Sequence, residues 1–106
     1  MKIKSLKFIA SSLDDLRNFP DEARRAAGFE LYAIQSGLEP GDWKPMQIVG
    51  TGVREIRIRI LGEWRVIYVV KHHEAVYVLH AFQKKTKKTS KQEIDLARQR
   101  YKQIGG

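Results

Sequence analysis

The sequence contains no cysteine and only three prolines among its 106 residues. The absence of cysteine excludes disulfide bonds and metal sites built on thiolates. No apolar run approaches the roughly 20 residues that a membrane-spanning helix requires. The first 15 residues contain only a brief apolar patch, Phe8-Ile9-Ala10, which is shorter than the apolar region of a secretory signal. These absences predict a cytoplasmic protein that is held together by its apolar core.

Positive charge is in excess and is concentrated in the second half of the chain. Lysine and arginine number 20 against 12 aspartate and glutamate residues, which gives a net charge of +8. Residues 54–106 contain 13 of the bases and five of the acids, so this half accounts for the whole excess. A concentrated positive field attracts polyanions and releases counterions from phosphates, which favours nucleic acid or the ribosome as a partner. A solvated face on a small basic protein would have the same composition.

Hydrophobic periodicity in the first third of the chain predicts a strand and two helices. The segment Lys2 to Ile9 mixes apolar and basic residues and is predicted as a short strand. Ser11 and Ser12 offer N-caps for a short helix, which Asn18-Phe19-Pro20 interrupts. Proline suits the first turn of the second helix, which ends at Ser36-Gly37. The apolar positions of this second helix recur at spacings of three or four: Ala23, Ala27, Leu31, Ile34 and Leu38.

The pattern changes from helical to alternating periodicity in the second half. Residues 39–52 contain two prolines and three glycines and are predicted as a loop without regular structure. Alternation over residues 55–60 predicts a strand with one apolar and one charged face, and apolar strands follow at 64–70 and 75–82. Short connections make these three strands an antiparallel meander. Ser90-Lys91-Gln92-Glu93 has the form of a capping box for a last helix. The prediction is a single α+β domain over residues 1–106, in the order β-α-α-β-β-β-α.

Basic side chains are predicted to converge on the charged face of the first meander strand. Arg57 and Arg59 are two residues apart on this strand and therefore point the same way, and Arg65 begins the partner strand within cross-strand reach. The third strand is followed by Lys84, Lys85, Lys87 and Lys88. Such an array can bind a phosphate and stabilise a pentavalent phosphorane, while the 2′-hydroxyl of the RNA serves as nucleophile. The alternative is an exposed strand whose charges prevent aggregation.

Other catalytic groups receive less support from the sequence. His72 and His73 fall in a predicted turn, where we expect exposure to solvent, and no further ligands at suitable spacing complete a metal site. His80 is in phase with the valines of the third strand, which favours a histidine with satisfied hydrogen bonds in or near the core. The motifs of serine hydrolases, P-loops and dinucleotide-binding folds are absent. The aromatic residues expected to pack in the core are Trp64, Tyr68, Tyr77 and Tyr101.

Two segments, VREIRIRILGEWRVIYVV and VYVLHAFQKKTKKTS, followed by an amphipathic helix, resemble the RelE/ParE toxin superfamily. The resemblance is greatest to the phage-derived HigB-like branch, and it includes the helical hairpin and the WKPM loop. It implies a RelE-like fold and the toxin of a toxin–antitoxin pair, which cuts ribosome-bound mRNA without a metal or any other cofactor. It also implies a helix-turn-helix antitoxin as partner, and no membrane partner.

The resemblance also implies roles for individual basic residues. Arg57 or a nearby lysine would transfer a proton, and Arg65 and Lys85 would stabilise the phosphorane. Binding of the RNA would fall to Arg59, Lys84, Lys87 and Lys88. Two alternatives stay open because one fold serves several functions. The chain could be a ParE-like protein that poisons a protein target such as DNA gyrase, or a non-catalytic phage-derived protein that binds RNA or an antitoxin.

Overall fold

The computed structural model describes residues 3–105, so Met1, the predicted strand start at Lys2 and the terminal Gly106 lie outside the described residues. The α+β class and the predicted order of elements are confirmed, with one additional short strand. The elements are β1 Ser5–Phe8, α1 Ser12–Arg17, α2 Asp21–Gln35, β2 Trp43–Pro45, β3 Arg54–Ile58, β4 Trp64–Lys71, β5 Ala75–Gln83 and α3 Lys91–Gln103.

The two N-terminal helices form where the sequence predicts them. Ser11 precedes α1, but its hydroxyl donates to the Asp15 carboxylate at 2.9 Å instead of capping a backbone amide. Pro20 is the N-cap of α2 with an extended backbone, so it lies one residue before the first turn in which the sequence places it. Leu38, the last residue of the predicted apolar stripe, lies beyond the end of α2 and is 64% exposed. None of the helices that the structure describes is long and apolar enough to cross a membrane.

Five strands form one sheet in the order β1-β5-β4-β3-β2. β1 runs parallel to β5, whereas the other neighbouring strands are antiparallel. The additional strand, β2, lies inside the segment predicted as a loop, and its Trp43 pairs with Ile56 of β3. Its three residues include Pro45, which an edge strand tolerates because proline has no amide to donate. A strand this short gives no periodic signal in the sequence.

Helices cover both faces of the sheet, which explains why β4 is apolar on both sides. One face packs against α2, and its buried residues include Ala27, Leu31, Ile56, Val66 and Tyr68. The other face packs against α3 and residues 46–53, and its buried residues include Val49, Ile67, Val69, Leu79 and Ala97. Burial of this apolar area from water is the main stabilising contribution to such a fold.

A β-bulge at Leu79 changes the phase of β5. Ile67 of β4 pairs with His80, but the next residue, Tyr68, pairs with Val78, so Leu79 is the extra residue. After the bulge, residues that would have faced α2 face α3 instead. His80 therefore lies on the α3 face with Leu79, and the predicted alignment of His80 with the valines of β5 is wrong.

Candidate nucleic-acid interface

Eight basic residues lie where the β3–β4 hairpin meets the segment that follows β5, and we call this surface the basic face. Its members are Lys44, Arg57, Arg59, Arg65, Lys84, Lys85, Lys87 and Lys88. Three carboxylates make ion pairs with members of this set, those of Asp42, Glu55 and Glu63. Eight positive charges against three negative charges leave an excess of five. The basic face is therefore an attractive surface for a polyanion.

Arg57 is the central cation of the basic face that remains partly open to solvent. It lies on β3 directly opposite Arg65 of β4. Its Nε donates to the Asp42 carboxylate at 2.9 Å, and Nη2 lies 2.9 Å from the same carboxylate oxygen. These contacts fix the orientation of the guanidinium while 30% of the side chain stays exposed. An oriented, accessible guanidinium is suited to bind the oxygens of a phosphate.

Arg65 lies in the same row but is buried, with only 3% of its side chain exposed. Its Nη2 donates to Glu63 at 3.0 Å, and its Nε lies 3.6 Å from Glu55. Its Nη1 donates to the backbone carbonyl of Trp64 at 3.0 Å. The cross-strand reach to Arg57 is as predicted, but this burial does not fit a direct contact between Arg65 and a phosphate.

The carboxylate of Glu63 is close to several cations of the basic face. The hydrogen bond from Arg65 holds the pKa of Glu63 below its ordinary value, and the charges of Arg65, Arg59 and Lys84 act in the same direction. Arg59 lies just beyond the end of β3, and its Nε is 3.8 Å from Glu63 and 3.7 Å from Asp42. Arg59, Arg65 and Lys84 therefore all act on the carboxylate of Glu63.

The segment Lys84 to Thr89 carries four lysines across the end of the sheet. The amide of Lys84 donates to the carbonyl of Glu63 at 2.7 Å, which joins the segment to the β3–β4 turn. The Lys84 amino group donates to the carbonyl of Lys87 at 2.6 Å. Beside the segment lies a pocket of about 220 Å³ that Lys85 helps to line. Lys85, Lys87 and Lys88 are exposed, and within residues 3–105 none of them pairs with a carboxylate within 4.0 Å, so they remain available to a ligand.

The three histidines lie outside the basic face. His72 and His73 are exposed in the turn between β4 and β5, as predicted. His80 is buried; its Nε2 lies 3.0 Å from Glu93, and its ring stacks on Phe82. The prediction of a satisfied histidine in the core is confirmed. Within residues 3–105, no group of three or more histidine, aspartate and glutamate side chains is arranged to hold a metal ion.

Several residues that shape the basic face were not singled out as site residues in the sequence. Asp42 lies in a segment predicted as a loop, and Lys44 lies in the unpredicted β2. Glu55 was expected on an exposed charged face, but it is fully buried and accepts a hydrogen bond from Thr89. Local alternation identifies which face of β3 is polar, but not the segment 34 residues later that covers it. The only signal for these residues in the sequence is that acidic residues lie near the predicted arginines along the chain.

Most of the chain matches one known protein family. The model of a phage-derived family described as Gp49-like matches residues 14–102, which include every member of the basic face. No curated protein matches the chain significantly.

Two solved structures share the fold. A mutant of toxin RelE from E. coli in the free state has a TM-score of 0.64 and 16% identity, over 98% of this chain and 99% of that chain. A chain of the toxin–antitoxin complex RelBE2 from Mycobacterium tuberculosis has a TM-score of 0.51 and 20% identity, over 77% of this chain and 99% of that chain. At these identities the likeness establishes a RelE-like fold.

Proposed function

The chain belongs to the Gp49-like family of phage-derived proteins, and on this basis we propose that it is the toxin of a type II toxin–antitoxin pair. In this proposal it is a ribosome-dependent, metal-independent endoribonuclease that cuts mRNA and inhibits translation in the cytoplasm. Its partners are ribosome-bound mRNA and a helix-turn-helix antitoxin. The observation that carries the proposal is the accessible Arg57 guanidinium, held by Asp42 beside an otherwise strongly basic surface.

The RNA supplies its own nucleophile in the proposed reaction. The 2′-oxygen attacks the adjacent phosphorus, and the bond from phosphorus to the 5′-oxygen breaks. The 2′-hydroxyl loses one proton, the leaving 5′-oxygen gains one, and the products are a 2′,3′-cyclic phosphate and a 5′-hydroxyl. The phosphorane gains negative charge during this step, so positive side chains that contact its oxygens lower the barrier.

In this proposal, the role of each basic side chain follows from how deeply it is buried. Arg57 contacts the phosphate, and Arg57 or a neighbouring lysine transfers the proton. Lys85 stabilises the phosphorane, and the RNA backbone is bound by the half-buried Lys84 and by the exposed cations Arg59, Lys87 and Lys88. Arg65 acts by holding Glu63 and Glu55 in place, because its guanidinium is committed to these carboxylates.

Expression of the chain from a tightly controlled promoter in bacteria tests the proposal. We expect growth arrest with cleavage of translated mRNA within minutes of induction. Arg57→Ala removes a contact that stabilises the transition state, and such losses lower the rate by about 100-fold or more. We therefore expect Arg57→Ala to relieve the arrest and leave the mRNA intact, as mapped by primer extension.

Arg25→Ala is the matched control because it removes an arginine from α2, on the other side of the sheet. Arg25 is exposed and contributes nothing to the basic face, so this variant should remain toxic. Growth arrest with intact mRNA and induced DNA damage would instead support a gyrase-poisoning toxin. Normal growth with the folded wild-type chain would support a non-catalytic binding protein. Either result overturns the nuclease assignment.

A further inference from the structure

A fully buried carboxylate, that of Glu55, lies beneath the basic face without reaching its surface. Glu55 is in the middle of β3, paired with Lys44 of β2 and Ile67 of β4. None of its surface is exposed. A buried carboxylate is costly unless charges and hydrogen bonds compensate it, and an apolar residue of similar size often serves stability equally well.

The contacts of Glu55 join three parts of the chain to β3. One carboxylate oxygen, Oε2, accepts a hydrogen bond from the Thr89 hydroxyl at 2.7 Å. The other, Oε1, lies 3.6 Å from Arg65 Nε and 3.8 Å from Lys44 Nζ. Neither Oε1 nor Arg65 Nε has a hydrogen-bond partner among the described residues. Coulomb attraction therefore holds Arg65 and Lys44, whereas a short hydrogen bond holds Thr89.

The bond to Thr89 fixes the far end of the lysine segment. The near end is fixed where the Lys84 amide donates to the carbonyl of Glu63. Thr89 is buried, and Ser90 begins α3 by accepting a bond from the Glu93 amide at 3.4 Å. Between the two anchors the lysine side chains are largely exposed and project into solvent. Without the Thr89 bond, the far end of the segment would still join α3, but residues 85–89 would lose their side-chain hydrogen bond to β3.

We propose that Glu55 is a positioning residue, which anchors the segment from Lys84 to Thr89 over the end of the sheet so that its lysines and Arg57 face the same RNA backbone. This inference rests on the proposed function, because it takes single-stranded RNA as the ligand. Glu55 does not touch the RNA. Its hydrogen bond to Thr89 positions the lysines. Its charge holds Arg65, which lies on β4 directly opposite Arg57.

Thr89→Val tests the anchor with little change in side-chain shape. Amide hydrogen exchange of residues 84–89 should become faster, and the Kd for a single-stranded RNA oligonucleotide should rise about tenfold, since several lysines must then be ordered on binding. With programmed ribosomes, the rise in KM should exceed the fall in kcat, because Lys84, Lys87 and Lys88 bind the RNA backbone while Lys85 alone stabilises the phosphorane. Thr89→Ser keeps the hydroxyl and should restore all three values. Thr51→Val, an exposed threonine in another loop, is the matched control.

Glu55→Leu tests the carboxylate itself, and the double variant with Thr89→Val tests whether both act through one contact. We expect the double variant to bind RNA no more weakly than the weaker single variant. Unchanged exchange and unchanged RNA affinity in folded Thr89→Val would overturn the inference, even if the wild-type chain cleaves mRNA. If the wild-type chain does not cleave mRNA, faster exchange and weaker RNA binding in Thr89→Val still support the anchor, so the two proposals fail separately.

Discussion

Burial divides the arginines of the basic face into two kinds. Arg57 has one carboxylate partner and keeps part of its side chain in solvent, whereas Arg65 is enclosed by two carboxylates. Two guanidinium groups directly opposite each other repel, so their compensation by Asp42, Glu55 and Glu63 is what permits the pair. Arg57 is therefore the more accessible of the two guanidinium groups, whereas Arg65 is buried among carboxylates.

The sequence predicts which basic residues gather but not how exposed each one is. Spacing places Arg57 opposite Arg65, because strand geometry and a short turn determine that pairing. The burial of Glu55, which pairs with Arg65, involves Thr89, a residue distant in sequence that donates to the Glu55 carboxylate. Residue spacing carries no information about such a long-range cover. The proximity of Arg57 and Arg65 was therefore predictable, whereas their difference in burial was not.

Two glycines are expected to respond in opposite directions to alanine. Gly28 lies in the middle of α2, and a Cβ atom there would meet nothing within 4 Å. Gly28→Ala should raise the free energy of unfolding by about 0.5–1 kcal/mol, because alanine loses less backbone entropy in a helix.

A Cβ atom at Gly50 would lie 2.5 Å from the Tyr101 ring, so Gly50→Ala should lower the free energy of unfolding by about 1–3 kcal/mol. Urea denaturation measures both, and a destabilising Gly28→Ala or a neutral Gly50→Ala would contradict these packing environments.

At the scale of elements, α3 is anchored by contacts from its buried side. Arg100 donates to the carbonyl of Leu79 at 3.0 Å and to the Ser11 hydroxyl at 2.9 Å. One arginine thus joins α3 to the bulge of β5 and to the start of α1. The capping box predicted for α3 is realised only in part, because Ser90 caps the helix while the Glu93 side chain turns to His80.

The β4–β5 turn offers a prediction at the same scale. His72 and His73 both have φ of 56°, in the left-handed region, and the Glu74 amide donates to the carbonyl of Lys71 at 3.1 Å. Hairpin turns of this kind favour Asn-Gly, since other residues are strained there. The double change His72→Asn and His73→Gly should raise the free energy of unfolding by about 1 kcal/mol. Thermal denaturation should show a Tm higher by about 4 °C.

RNA cleavage serves as the control for this turn variant. The turn lies at the end of β4 opposite to Arg65, so mRNA cleavage should be unchanged. A lower Tm would show that the histidine pair makes stabilising contacts that the backbone geometry does not reveal.

At the scale of the whole molecule, the two faces of the sheet differ. One face packs in the core, and the other packs in the core and also carries part of the basic face. The face toward α2 is mostly apolar, and the face toward α3 is apolar where α3 and residues 46–53 cover it. In the part that α3 does not cover, the same face carries Arg57, Arg65 and Glu55. Seven of the 13 bases of residues 54–106 lie on the basic face, because both strands of the hairpin and the lysine segment belong to that half of the chain.

Composition and periodicity predict the fold class because most strand pairings here are local. Two strands, β1 and β2, are the exceptions to this predictability. β1 runs parallel to β5 across some 70 residues, and β2 consists of three residues within a Pro/Gly-rich segment. Neither pairing produces an alternation that the sequence alone could display. The bulge at Leu79 is likewise a feature of the ladder and not of the apolar pattern.

Cleavage of mRNA on purified ribosomes tests the central claim most directly. A labelled mRNA programmed on ribosomes is mixed with the wild-type chain or with Arg57→Ala, and the product ends are determined. We expect the wild-type chain to cut ribosome-bound mRNA and leave a 5′-hydroxyl, and Arg57→Ala to cut it at least about 100-fold more slowly. Intact mRNA, products with a 5′-phosphate, or equal cleavage by folded Arg57→Ala would contradict the account.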